Sequence, residues 1–186
     1  MMSVVSEILD HNHKFVEEKA YEVYQTSKFP EKKIVVLTCM DTRLTELLPN
    51  AMGLKNGDAK VLKNAGAMVI SPFDSAIQGI LVGLWQLGAE EVVVVGHHDC
   101  GMAGLEGSAT LEKMKENGIS DDMLSALSDG GVNLEKWLSG FESVPDNVQN
   151  SVNMIKQHPL LPEGTKVHGL IIDPGTGKLD LVVEDQ

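Results

Sequence analysis

Two short apolar runs limit what this chain can fold into. Ile34-Val35-Val36-Leu37-Thr38 and Glu91-Val92-Val93-Val94-Val95 are β-branched almost throughout. Neither alternates apolar with polar residues, so each reads as a strand buried on both faces, as in a parallel sheet covered by helices. The segments around them fit that reading. After the first run, Leu44, Leu47, Leu48, Ala51 and Met52 recur with helical spacing, and Asp41 or Thr42 is the expected N-cap. Residues 59–62 form a second short strand behind the turn Asn56-Gly57-Asp58. A further helix opens near Ser71-Pro72-Phe73-Asp74, buries Ile77, Ile80, Leu81, Leu84 and Leu87, and stops at Gly88. Strand and helix in alternation imply right-handed crossovers and a parallel sheet.

The ends complete the architecture. Residues 3–27 are helical in pattern, with a bend expected near Asn12, and residues 1–28 form an arm that packs over the core or on a partner chain. Residues 105–144 read as a helical, acidic insertion: positions 106–146 carry nine acids against three lysines, with weak helical patterns at 109–117, 121–128 and 133–139. A better helix starts at Pro145 and runs to His158. Residues 167–172 are a strand, 173–178 a turn, and 179–183 an antiparallel edge strand. The expectation is a single α/β domain over residues 1–186. Its mostly parallel central sheet has about five strands, four parallel plus one antiparallel at the edge, flanked by helices.

Composition removes several classes of function. A net charge of −12 argues against nucleic acid as a partner. No apolar run approaches a membrane span, and no basic segment followed by an apolar one marks a secretory signal. Two cysteines are too few for a disulfide framework, and a reducing cytoplasm is their simplest home.

Those two cysteines carry the chemistry. Cys39 follows the first buried run, in Cys39-Met40-Asp41-Thr42-Arg43. Cys100 follows the second, in Gly96-His97-His98-Asp99-Cys100-Gly101. Taken alone, each reads as a small buried hydrophobe at a strand end. Ligands of open parallel sheets, however, bind beyond the carboxyl ends of strands where the strand order reverses. If the second strand lies on one side of the first and the third on the other, both cysteines reach that crevice. Cys39, His97 and Cys100 then offer two thiolates and an imidazole, a donor set that suits zinc and leaves a fourth position free, as in catalytic sites. His98 is a rival ligand of lower rank. Fourteen lysines accompany one arginine, Arg43, two residues after Asp41. A lone planar fork beside a carboxylate suggests a specific pairing. Asp41 could accept a hydrogen bond from the zinc-bound nucleophile or swing in as fourth ligand, and Arg43 would hold it off the metal.

At these residues the chain resembles the β-class carbonic anhydrases, compact prokaryotic type. The resemblance rests on Cys39-x-Asp41-x-Arg43, on His97-x-x-Cys100, on Lys63-Asn64-Ala65-Gly66, and on the tail from Val167 to Asp173 with Thr176-Gly177-Lys178-Leu179. Two positions depart: Lys63 and Ala67 stand where the family loop often has Arg and Asn. The resemblance implies reversible hydration of carbon dioxide to bicarbonate, with Cys39, His97 and Cys100 on zinc. It implies that Asp41 and Arg43 are the catalytic dyad orienting zinc-bound hydroxide. It also implies a homodimer or higher homo-oligomer embraced by the N-terminal arm. His98 is a weak candidate proton shuttle. Two alternatives stay open: a carbonyl sulfide or carbon disulfide hydrolase on the same zinc, and a non-catalytic zinc or thiol-redox protein.

Overall fold

The structure, a computed structural model, describes residues 3–185. Its centre is a sheet of five strands: β1 (Ile34–Cys39), β2 (Ala59–Asn64), β3 (Glu91–His97), β4 (Lys166–Ile172) and β5 (Leu179–Val183). Their order is β2-β1-β3-β4-β5. The first four are parallel, and β5 returns antiparallel to β4. The expected fold class is therefore the observed one. β1 and β3 lie inside the sheet, which is why their side chains are apolar on both faces: after the first residue every position in each is buried. β2 and β5, at the edges, have no fully buried position.

Seven helices are present among the described residues: α1 (Val4–Glu17), α2 (Leu44–Ala51), α3 (Ser75–Leu87), α4 (Gly107–Glu116), α5 (Asp121–Asp129), α6 (Leu134–Leu138) and α7 (Val144–Lys156). The two-residue period of the strands divides the core. Val35, Leu37, Val92 and Val94 pack with Ile77, Ile80 and Leu84 of α3 and Val148, Val152 and Ile155 of α7. Val36, Val93 and Val95 pack on the other face with Leu44 and Leu48 of α2, and both cysteines belong to that cluster. α3 begins and ends as its sequence demands: the Asp74 carboxylate accepts from Ile77 N–H, and Gly88 takes the left-handed conformation at the C-terminus.

Three details differ from expectation. α1 runs unbroken through Asn12, because solvent-facing polar residues do not break a helix. The chain turns instead at Lys19, which adopts φ 55° ahead of a short 3-10 turn, Ala20–Tyr24. The residue preceding α2 is Arg43, and neither Asp41 nor Thr42 caps it. The Asp41 carboxylate is engaged by Arg43 instead. Lastly, Cys39 and His97 are the final residues of their strands, not the first residues beyond them. Strand geometry thus extends right up to the two ligand candidates.

α7 lies close on β3 and β4 because glycines face it. A Cβ on Gly96 would stand 2.7 Å from Val148 Cγ2 and 3.0 Å from Val144 Cγ1. Gly96→Ala is expected to cost about 1–3 kcal/mol by overpacking. Combined with Val148→Ala, which removes the closest struck atom, it should cost less than the sum of the two single changes. Urea unfolding midpoints of the three variants check this.

Candidate metal centre

The strand order puts the reversal between β1 and β3, since the chain leaves β1 for β2 on one side and reaches β3 on the other. The C-terminal ends of those two strands meet there. One ligand atom each from Cys39, His97 and Cys100 falls within 4.8 Å of the others, and all three residues are buried. The two Sγ atoms are 4.0 Å apart. A tetrahedral ion with Zn–S bonds of about 2.3 Å holds two sulfurs about 3.8 Å apart, so the separation suits one shared ion. Residues 61 apart in sequence thus form a single donor set, as the crevice argument required.

His97 is oriented as a ligand. Its Nδ1 pairs with the His98 carbonyl at 2.8 Å, which sets the tautomer and leaves the lone pair on Nε2. That Nε2 is buried and has no hydrogen-bond partner among the described residues. A buried polar atom without a partner is rare and costly, and a cation between it and the sulfurs supplies the missing partner. His98 is exposed, its backbone N–H bonded to the Ile172 carbonyl, and the donor cluster does not include it. Burial pushes the Cys100 thiol up first of all, and the neighbouring Cys39 adds to the shift. Two thiolates packed this closely call for positive charge to sustain them.

The loop after β2 completes the wall. Gly66 adopts φ 78° and points its N–H at Cys39 Sγ, 3.4 Å away. A side chain there would meet the Phe141 ring at 2.8 Å, so only glycine fits. α7 holds this loop from behind: Asn147 Nδ2 donates to the Gly66 carbonyl at 2.9 Å, and Ser151 Oγ accepts from Val69 N–H at 3.1 Å. The sequence reading missed Asn147 and Ser151. The available signal was two polar residues, four apart, on the same helix as the inward Val148, Val152 and Ile155. Of the two departures in this loop, Lys63 is exposed on β2, whereas Ala67 is fully buried with φ 54°, a conformation Asn adopts more readily than Ala.

Asp41 lies at the edge of the donor set. Its Oδ2 is 3.8 Å from His97 Nε2. Arg43 grips it with a fork: Nε donates to Oδ1 at 3.0 Å and Nη2 to Oδ2 at 2.8 Å, while the Arg43 backbone N–H donates to Oδ1 at 2.8 Å. The guanidinium beside it is the main reason the carboxyl is held down to about 2. Asp41 is thus ionised and an acceptor only at any ordinary pH. The far side of the same guanidinium reaches Asp99, with Nη1 donating to Oδ2 at 2.9 Å and Nη2 to the carbonyl at 3.0 Å. A cavity of about 370 Å³, walled by Cys39, Asp41, Ala65, Cys100 and Met102 among others, opens in front of the site.

A cysteine–histidine–cysteine cluster able to hold a metal ion at the switch point of this sheet, with a pinned aspartate beside it, is the arrangement of an enzyme of the β-carbonic anhydrase class. The comparisons agree. Residues 34–179 match the sequence model of the carbonic anhydrase family, and the chain belongs to that family. It is 61% identical over 183 residues to the protein named "Putative carbonic anhydrase YvdA" from Bacillus subtilis, covering 98% of this chain and 92% of that one. The crystal structure of β-carbonic anhydrase isoform I from Trichomonas vaginalis superposes with a TM-score of 0.89 at 33% identity, over 100% of both chains. The carbon disulfide hydrolase of Acidithiobacillus thiooxidans is 29% identical over 80% of this chain and 76% of its own.

The donor set predicts metal uptake coupled to proton release, because the thiols must ionise as they bind. Cobalt added to metal-free protein should give thiolate-to-metal charge-transfer absorption and acidify a weakly buffered solution. Cys39→Ser should weaken the absorption, and His97→Ala should lower metal affinity about 10-fold or more.

Proposed function

We propose that this chain interconverts carbon dioxide and bicarbonate, with zinc held by Cys39, His97 and Cys100 and with Asp41 and Arg43 acting on the reacting water. One observation carries the reading: His97 Nε2, without a hydrogen-bond partner among the described residues, clusters with two sulfurs and lies 3.8 Å from an arginine-locked carboxylate. Zinc bound there supplies a Lewis acid that makes water nucleophilic near neutral pH. The protein's own residues then decide how the water is presented. Asp41 Oδ2 has no proton to give, so it accepts a hydrogen bond from the nucleophile and leaves an oxygen lone pair turned toward the substrate carbon. Arg43 occupies both carboxylate oxygens of Asp41, which keeps it out of the fourth ligand position. Attack forms the new C–O bond of bicarbonate, and the proton lost by water passes to solvent. The largely apolar front cavity, with Met40, Ala65 and Met102 in its wall, suits a small, nonpolar, linear substrate.

The same residues would serve attack on carbon disulfide or carbonyl sulfide, and the hydrolase relative favours that second reading. Relative rates on carbon dioxide and carbon disulfide decide between them, with carbon dioxide expected to be the faster substrate. The exposed apolar face of α1, with Val4, Val5, Ile8 and Leu9 each more than half exposed, supports a homodimer in which the arm lies on a second copy. Light scattering should give twice the chain mass. No helix among the described residues is long and apolar enough to cross a membrane. We assign the protein to the cytoplasm, where its free thiols stay reduced.

In a stopped-flow hydration assay, Asp41→Asn should lower kcat/KM about 10²-fold while zinc content stays at one per chain. Loss of zinc in that variant, or unchanged turnover, would contradict the role given to Asp41. Two thiolates neutralise the ion's formal charge, so activity should rise with pH beyond the value of about 7 typical of three-histidine centres. Asp41, ionised from about pH 2 upward, contributes no step to that profile.

A further inference from the structure

We propose that Asp99 is a positioning residue: it fixes the Asp41–Arg43 pair relative to the metal ligands. The inference rests on the carbon dioxide reading and adds to it a residue not among the dyad or the ligands. Asp41 and Arg43 are two residues apart on one loop, and their mutual bonds are local. A pair tied only to itself can move as a unit and still keep every one of those bonds. What anchors it is the far side of the guanidinium. Nη1 donates to the Asp99 carboxylate at 2.9 Å and Nη2 to the Asp99 carbonyl at 3.0 Å, across 56 positions of sequence.

Asp99 sits between the ligands His97 and Cys100 in sequence, so this contact joins the loop after β1 to the turn after β3 at the metal site itself. Its backbone is unusual: φ is 53°, the left-handed region that a non-glycine residue seldom occupies. In that pose the carbonyl and the carboxylate of one residue both face the same guanidinium. Four of Arg43's five N–H groups are then taken by Asp41 and Asp99. The Asp99 side chain is 85% exposed, so its ion pair contributes little to stability. Its effect is on direction. With Asp99 in place the fork stays in one plane, and Asp41 Oδ2 keeps its 3.8 Å approach to His97 Nε2.

Arg43 is the only arginine in the chain, so the zinc-loaded protein labelled with nitrogen-15 has one guanidinium to observe by NMR. Asp99→Gly tolerates the backbone angle and removes the carboxylate. It should speed rotation about the Arg43 Nε–Cζ bond and lower kcat about tenfold, less than the 10²-fold of a full ångström misplacement. KM should be unchanged. Asp99→Asn keeps a neutral acceptor and should fall between Asp99→Gly and the natural protein in both measurements. Wild-type rotation in Asp99→Gly overturns the proposal, whether or not kcat has fallen. If Asp99→Gly does not fold, Asp99→Asn carries the test alone: faster rotation supports the anchor, and unchanged rotation overturns it. The rotation rate is read without substrate. A natural protein inactive on carbon dioxide would therefore sink the functional reading without touching this measurement.

Discussion

The structure depends on the meeting of two buried strand ends. β1 and β3 pair in parallel from Ile34–Glu91 to Thr38–Val95, and Thr38 Oγ1 donates to the Val95 carbonyl at 3.0 Å just before the strands deliver Cys39 and His97. Because both strands are enclosed on two faces, their ends are held in the buried, close-packed core. A metal centre built from single residues on separate loops would inherit the mobility of those loops. Here two of the three donors are the last residues of the two central strands, and the third lies one turn further on.

The chemistry follows from what this rigidity holds apart and together. The two sulfurs are close enough to repel as thiolates and well spaced for one ion. The imidazole has one nitrogen committed to a carbonyl and the other left facing the sulfurs. Next to them lies a carboxylate whose charge is fixed by a guanidinium. Asp41 Oδ2 lies 3.8 Å from His97 Nε2 while Arg43 engages both of its oxygens. Under the function proposed above, Arg43, and so whatever positions Arg43, decides whether this carboxylate stays off the metal.

Much of this was legible in the sequence. The largely β-branched runs at 34–38 and 91–95 read as interior strands, and interior strands of a parallel sheet end in its ligand crevice. The cysteines, the histidine and the Asp-x-Arg pair were therefore readable from their positions relative to those runs. What was not legible depended on tertiary context. Asn12 looked like a helix breaker, but on a solvent-facing helix a polar side chain breaks nothing, and the turn fell at Lys19, whose residue type gives no warning of it. Asp41 looked like a helix cap until Arg43 folded back to claim both of its oxygens. Asp99 lay inside a motif already singled out, yet its partner is 56 residues away, and only the fold shows that they touch. Asn147 and Ser151 could be recognised as supports only once the loop they hold was seen behind them.

One ion on three protein donors is what X-ray absorption at the zinc edge of the purified protein reads out. Two sulfurs at about 2.3 Å are expected, with one imidazole nitrogen and one further light atom at about 2.0–2.1 Å. A first shell with fewer than two sulfurs, or protein purified under reducing conditions that binds no zinc at all, would contradict it.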